Sequence, residues 1–127
     1  MDLTIVLFAL IGPFLVWPVE YFLPYPSFVE ELFKAILIYF LPQKNYKTVV
    51  ISGVAFALTE TVLYAFNIFN FGGLELMLTR LLSTSILHSA TFLTIYIFGK
   101  NGGWRLIIGL IIAVLIHYIY NTYIPIY

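Results

Sequence analysis

The sequence contains no cysteine among its 127 residues. This absence excludes disulfide bonds, thiolate catalysis and cysteine-ligated metal sites. Charged residues are scarce too, at 9%, and six basic side chains balance six acidic ones. Because a domain that binds nucleic acid carries an excess of positive charge, the zero net charge indicates no nucleic acid as a partner.

Apolar residues fill the composition instead: 62% are hydrophobic, 19% are aromatic, and the mean hydropathy is +1.02. An ordinary soluble domain has about a quarter of its residues charged, and a small globule leaves much of its surface exposed. The sequence therefore predicts a multi-pass integral membrane protein whose main partner is the lipid bilayer. Residues 1–26 lack a basic leading region and a small-residue cleavage site, so we interpret them as a retained transmembrane helix.

Continuous apolar runs without a two-residue alternation predict helices rather than strands. A membrane helix needs about 20 residues at a rise of about 1.5 Å each. We predict an all-α, polytopic bundle of about five transmembrane helices that forms a single domain, residues 1–127. The predicted segments are about 3–23, 28–41, 47–69, 75–98 and 104–124. Turns are predicted at "PQKNYK", "NFGG" and "GKNGG".

Basic residues flank the segments on one side and acidic residues on the other. Since basic residues stay cytoplasmic, this asymmetry predicts a cytoplasmic N-terminus, a C-terminus outside, and an outer position for the adjacent glutamates. The basic residues are Lys44, Lys47, Lys100 and Arg105, and the acidic ones are Glu20, Glu30, Glu31 and Glu75.

Several ionisable side chains interrupt the apolar segments, although each costs about 2.5–3.5 kcal/mol at a helix centre. Such residues normally face the bundle interior and mark a functional site. Spacings of four residues place several of them in pairs on one helix face, and their depths allow them to meet in the outer half of the membrane. The ionisable candidates are Glu30, Glu31, Lys34, Glu60, Arg80, His88 and His117. Phe56 and Asn121 join them because each lies four residues from a candidate, Glu60 and His117 respectively.

Each candidate also has a purely structural interpretation. Glu30 and Lys34 fit an ordinary ion pair at a helix end, and Arg80 fits a side chain that reaches the interface from lipid. His88 and His117 fit helix–helix hydrogen bonds. We interpret Glu20 and Glu75 as interfacial.

As a set, these residue types suit hydrolysis. A carboxylate can take a proton from water, and an imidazole can hold that water or protonate a leaving amine. Asparagine, arginine or a second histidine can stabilise an oxyanion. A serine mechanism is disfavoured because no intramembrane aspartate orients a histidine. Two histidines with a glutamate are a known zinc ligand set, so a zinc site formed by Glu60, His88 and His117 stays open.

Four motifs follow one another along the successive apolar segments. "EELFK" at 30–34 matches EExxK, "FALTE" at 56–60 matches FxxxE, an arginine and then a histidine follow at Arg80 and His88, and "HYIYN" at 117–121 matches HxxxN. Their order resembles that of the PrsW family of membrane proteases. The chain is also similar to the wider superfamily of CAAX prenyl endopeptidases and bacteriocin-processing enzymes, where EExxxR and FxxxH stand in the corresponding places. The chain departs from the family in its small size and in Thr61, where relatives often have asparagine.

The resemblance implies an intramembrane endopeptidase that cuts a single-pass membrane protein or peptide, such as an anti-sigma factor, near the outer face. It implies that Glu30 or Glu31 activates water, and we predict that Glu31→Gln abolishes cleavage. Asn121 is implied to donate to the oxyanion. The roles implied for the others are water-holding or metal-binding for Glu60, His88 and His117, and structural, electrostatic or substrate support for Lys34, Phe56 and Arg80. No cofactor is favoured, and the oligomeric state is not determined.

Two other functions use the same residues. A non-catalytic helix bundle or partner module would use them as a buried hydrogen-bond network, and water access distinguishes it from a protease. A proton or ion carrier would need a polar path to the cytoplasmic side. The apolar stretches "TVVISGVAF" and "GLIIAVL" disfavour such a path.

Overall fold

The computed structural model describes residues 3–40 and 45–124, which form helices and no strand. The four helices are α1 (Leu3–Phe22), α2 (Pro26–Phe40), α3 (Tyr46–Gly99) and α4 (Trp104–Tyr123). The all-α prediction is confirmed for this part of the chain. The third and fourth predicted segments, about 47–69 and 75–98, correspond to two helical arms of α3 that meet at a non-helical residue, Gly73. Three helices of this part of the chain are long and apolar enough to cross a membrane, fewer than the five predicted. Lys44 and the first part of the predicted turn at 42–47 lie outside the described residues.

Helix α3 has 54 residues and would be about 80 Å long if it were straight. Instead it bends at Gly73, whose φ of 62° and ψ of −155° form a backbone conformation almost confined to glycine. Its two arms, 46–72 and 74–99, pack against each other in opposite directions. Ser89 Oγ on the second arm donates to the Val50 carbonyl on the first at 3.0 Å. The turn predicted at "NFGG" is therefore present, and it is confined to the single non-helical residue Gly73.

A glycine contact holds the two arms of α3 close together. Gly53 lies against the backbone of His88 and Ser89, where an added Cβ would have no room. Small residues at membrane helix contacts allow this kind of close backbone approach. The contact brings the arm that carries Glu60 beside the arm that carries His88.

Three of the helices, α1, α3 and α4, are long and apolar enough to cross a membrane. The outward faces carry exposed apolar side chains such as Leu7, Leu82 and Leu115. Inside, buried polar and charged side chains are nearly as numerous as buried apolar ones among the described residues. A polar interior inside an apolar surface indicates a membrane protein, because lipid replaces water around the helices.

Helix α2 has only 15 residues, fewer than the roughly 20 that a crossing requires. It begins at Pro26, since proline suits the first helical position, where its missing N–H costs nothing. It runs antiparallel to α4. Two side-chain contacts join the helices: Asn121 Nδ2 donates to Ser27 Oγ at 3.2 Å, and His117 Nδ1 lies 2.7 Å from Glu31 Oε1.

Candidate functional site

Six ionisable side chains from α2, both arms of α3 and α4 meet in the bundle interior. Each is 6% exposed or less. We call this set the polar cluster; its members are Glu30, Glu31, Lys34, Glu60, His88 and His117. The four-residue spacing on α2 and the bend of α3 together place charges from distant parts of the chain in one small volume.

Lys34 forms the centre of the polar cluster. Its Nζ lies 2.6 Å from Glu31 Oε1, 2.8 Å from His88 Nδ1 and 3.0 Å from Thr91 Oγ1. A lysine ammonium has three donors and no acceptor, so these three contacts use all of them. We call Lys34 with these three partners the Lys34 centre. Its side chain is completely buried.

The ammonium determines which nitrogen of His88 carries the proton. Because Lys34 only donates, His88 Nδ1 must accept, and a neutral imidazole then carries its hydrogen on Nε2. That Nε2 lies 2.5 Å from Glu60 Oε2, so it donates to the carboxylate. His88 is thus an uncharged bridge between Lys34 and Glu60, with both nitrogens engaged.

His117 takes the opposite tautomer. Its Nδ1 lies 2.7 Å from Glu31 Oε1, and an ionised carboxylate can only accept, so Nδ1 carries the hydrogen. In a neutral imidazole with this tautomer, Nε2 carries the lone pair. The rings of His88 and His117 stand nearly perpendicular, with centroids 5.4 Å apart.

The two adjacent glutamates have different surroundings. Glu31 Oε1 receives both Lys34 and His117, whereas Glu31 Oε2 is buried without a hydrogen-bond partner. Glu30 has a buried Oε2 with no hydrogen-bond partner, and this oxygen lies 4.0 Å from His88 Nδ1. Buried polar oxygens without partners are uncommon and call for an explanation. Glu30 therefore carries unused acceptor capacity beside the imidazoles.

Three carboxylates line a narrow cavity between α1, α2 and α3. We call it the carboxylate crevice; its polar lining residues are Glu20, Glu30, Glu60 and Tyr64. Its volume is about 10 Å³, close to the minimum for one water molecule. Glu20 is only half-buried and lies towards the surface, so it links the crevice to the outside of the bundle. Glu20 Oε1, like Glu30 Oε2, is a buried oxygen without a partner.

An aromatic side chain, Phe56, packs against the polar cluster. The Phe56 ring is completely buried, with its centroid 4.9 Å from Lys34 Nζ and 4.8 Å from the His88 ring centroid. A cation over an aromatic face gains about 2 kcal/mol when water is excluded. Phe56 therefore packs against His88 and also stabilises the Lys34 ammonium.

Two predicted site residues lie at the edge of the polar cluster. Arg80 is buried, donates from Nη1 to the Ile124 carbonyl at 3.4 Å, and lies over the Tyr120 ring at 5.9 Å. It lines a narrow space with Glu60. Asn121 is half-buried, one helical turn from His117, and its amide contacts Ser27.

An open groove begins beside Asn121. It has a volume of about 460 Å³ and runs between the start of α2 and the end of α4. Its walls are mainly apolar side chains, including Phe28, Val114 and Leu115, and Ser27 with Asn121 supplies polar atoms. The groove is thus mainly apolar, and Asn121 on its wall lies one helical turn from His117, which contacts Glu31.

The residues that could hold a metal differ from the predicted set. Glu30, His88 and His117 each offer a ligand atom, all within 4.8 Å of one another, so Glu30 replaces the predicted Glu60. These residues do not fit a zinc ion, because zinc needs a free imidazole lone pair. The single lone pair of His88, on Nδ1, already accepts from Lys34.

Sequence reasoning missed four residues near the polar cluster. Glu20 was interpreted as interfacial but lines the carboxylate crevice with Tyr64. Thr91 accepts from Lys34, and Ser27 accepts from Asn121. Glu20 was the one with a signal, since it is acidic and near the predicted outer end. Hydroxyl residues are too common in membrane helices for their sequence to show such contacts.

No family model matches the chain, and neither curated proteins nor solved structures give a match.

Proposed function

We propose that the chain is an intramembrane endopeptidase in which Glu30 activates a water molecule to hydrolyse a peptide bond. One observation carries this proposal: Glu30, which has an unpartnered buried oxygen, both lines the carboxylate crevice and lies within 4.8 Å of ligand atoms of the two imidazoles. Glu31 Oε2 is unpartnered too, but Glu31 does not line the crevice. A general base must lie within hydrogen-bond reach of the proton that it removes. A water in the crevice would satisfy the free oxygen.

The assigned roles follow from the contacts. Glu30 takes a proton from water as the oxygen attacks the peptide carbonyl, and the protonated carboxyl then gives that proton to the leaving amine. His117 accepts a hydrogen of the water at its free Nε2. Glu31 holds His117 in that tautomer, so it is a positioning residue rather than the base.

The groove beside Asn121 offers the substrate an approach from the bilayer. Its apolar walls suit an unwound apolar segment of a single-pass membrane protein, and the Asn121 amide suits a donor to the developing oxyanion. In this proposal the N-terminus is cytoplasmic and cleavage occurs near the outer face. Lys100 Nζ, just after the end of α3, lies 3.4 Å from Tyr46 Oη at its start. The basic residues near the two ends of α3 can therefore lie on the same side of the membrane, which supports this orientation.

The four motifs shared with PrsW proteases support the same function. Three of these motifs supply members of the polar cluster: EExxK supplies Glu30, Glu31 and Lys34, FxxxE supplies Glu60, and HxxxN supplies His117. We propose membership of that family on this basis. Lys34 and Glu60, the two positions that distinguish the PrsW pattern from the wider superfamily, both contact His88.

The test uses the full chain in detergent micelles with a pool of synthetic single-pass transmembrane peptides. The reaction runs in ¹⁸O-labelled water, and mass spectrometry identifies new carboxyl termini that contain the label. We expect labelled products from the wild type and from Glu75→Gln, an exposed control, and none from Glu30→Gln. Undiminished cleavage by Glu30→Gln would refute the assignment of the base.

The closed packing favours a second candidate, a non-catalytic bundle or partner module. The polar cluster is nearly sealed, and the crevice holds about one water molecule. In that case the buried charges serve to fix how α2, α3 and α4 pack. Failure of the wild type to cleave any peptide, together with hydrogen exchange that shows no opening near Glu30, would favour this candidate.

A further inference from the structure

We propose that the Lys34 ammonium is a built-in cation that takes the place of a metal ion in the polar cluster. It sets the tautomer of His88, orders Glu31 and His117, and excludes a divalent metal. Its effect on cleavage rests on the proposed function, but its effects on tautomers and on metal binding do not.

The position of the ammonium supports this inference. Lys34 Nζ lies 2.8 Å from His88 Nδ1 and 2.6 Å from Glu31 Oε1. Glu31 Oε1 in turn lies 2.7 Å from His117 Nδ1. One imidazole nitrogen and one carboxylate oxygen thus surround a fixed positive charge, in the way that such ligands surround a metal.

The surroundings hold that charge in place. Thr91 Oγ1 accepts the third hydrogen bond at 3.0 Å, and the faces of Phe56 and Phe92 lie 4.9 and 5.5 Å away. The side chain is fully buried, so water does not compete for the ammonium. All three donors of the ammonium have acceptors, and two aromatic rings pack against it, so these contacts fix its position.

A divalent metal cannot enter beside this ammonium. It would need the Nδ1 lone pair that Lys34 uses, or it would have to displace the hydrogen that His88 shares with Glu60. It would also place a second cation a few ångströms from the first, in a region without water, where charges repel strongly. A neutral side chain at position 34 removes both obstacles and leaves Glu30, His88 and His117 near one another.

The first experiment measures cobalt uptake by the purified full chain in detergent. Co²⁺ bound by histidine and carboxylate gives visible absorption bands, so binding has a readout independent of cleavage. We expect no bound Co²⁺ in the wild type or in Lys47→Met, an exposed control, and stoichiometric Co²⁺ in Lys34→Met. A wild type that binds Co²⁺ through His88, or a folded Lys34→Met that binds none, would overturn the inference.

Lys34→Met alone leaves the Glu31 carboxylate without its positively charged partner and with only the contact to His117. A double variant therefore guards against loss of folding. Glu31→Gln with Lys34→Met removes the pair together, which is better tolerated than loss of one member. It retains Glu30, His88 and His117, and we expect it to bind Co²⁺ as well. Absence of binding in this folded double variant would also count against the inference.

The second experiment reads the tautomers in the wild type and uses a variant only to assign the signals. Nitrogen NMR of ¹⁵N-histidine-labelled wild type distinguishes the two tautomers, with His88→Ala used to assign the signals. We expect His88 to carry its hydrogen on Nε2 and His117 on Nδ1. A His88 with a protonated Nδ1 would overturn the inference, whether or not the protein cleaves any peptide.

Discussion

The Lys34 centre and the carboxylate crevice are neighbours that differ in what lies around their polar atoms. In the Lys34 centre every donor of the ammonium has an acceptor, and the one unpartnered oxygen, Glu31 Oε2, does not line the crevice. In the carboxylate crevice, Glu20 and Glu30 each keep a buried oxygen without a partner. An ammonium with all its donors used is held still, whereas unused acceptors beside a cavity are available for water or substrate.

Adjacent residues on one helix belong to these two regions. Successive side chains on an α-helix point about 100° apart, so Glu31 faces Lys34 and His117 while Glu30 faces α1 and the crevice. The difference assigns positioning to one glutamate and chemistry to the other. The following predictions test this division, from the largest expected effect to the smallest.

The largest effect is expected from Glu30→Gln, which should lower the cleavage rate by a factor of about 10²–10⁴ because it removes the general base. Its effect on the free energy of unfolding should be smaller than that of Glu31→Gln, since Glu30 Oε2 has no partner whereas Glu31 Oε1 accepts from two side chains. Glu31→Gln should lower both quantities, because it breaks contacts to Lys34 and His117. Rates from labelled-water cleavage and stabilities from denaturation in micelles check this contrast. Equal stability losses in the two variants would remove the distinction.

Lys34→Met should destabilise the protein by about 3–5 kcal/mol, because it leaves the buried Glu31 carboxylate without a counter-charge. The measurement is the free energy of unfolding in mixed micelles. Lys47→Met is the matched control, since Lys47 is exposed, and it should change stability by less than about 0.5 kcal/mol. Similar losses in both variants would show that the Lys34 centre contributes little.

Gly73→Ala should cost about 1–3 kcal/mol, because an alanine at φ 62° and ψ −155° is strained. The added Cβ meets no other atom within 4 Å, so the cost comes from the backbone alone. The bend brings Glu60 to His88, and both regions should therefore loosen together. Hydrogen exchange at residues of the two arms measures this, with exposed Leu78→Ala as the control. Loosening of one arm alone would contradict the prediction.

The smallest effect is expected from Asn121→Ala. It removes the 3.2 Å contact to Ser27, and interhelical hydrogen bonds in membranes are worth about 0.6 kcal/mol on average. If Asn121 also stabilises the oxyanion, the cleavage rate should fall much further than the stability. A proportionate fall in both would assign Asn121 to packing only.

Much of the site could be predicted from the sequence because charge in an apolar segment is so costly. Glu60, His88 and His117 stand out for that reason, and their spacing places them on inward faces. The partners of each could not be predicted. Glu60 was predicted to bind zinc together with the two histidines, but it accepts a hydrogen bond from His88 Nε2. Glu30 is the glutamate with a carboxylate oxygen within 4.8 Å of ligand atoms of both histidines.

The turn at "NFGG" shows what local composition can predict. Its glycines predicted a turn between two helices, and Gly73 does reverse the chain between the two arms of α3. One glycine conformation suffices for this reversal, so the helical arms extend closer to each other than the predicted segments. Local composition indicates a change of direction but not how few residues it requires.

Composition alone determined that this chain is helical and embedded in lipid, since no other solvent accommodates so apolar a surface and every backbone group must be paired within the helices. It also determined which side chains must be buried in the interior. Only the tertiary structure decided that Lys34 occupies the centre, that Glu31 Oε1 accepts from Lys34 and His117, and that Glu30 lines the crevice with an unpartnered oxygen. Those outcomes depend on distances between helices far apart in sequence, and such distances come from packing at Gly53 and the bend at Gly73 rather than from any local pattern.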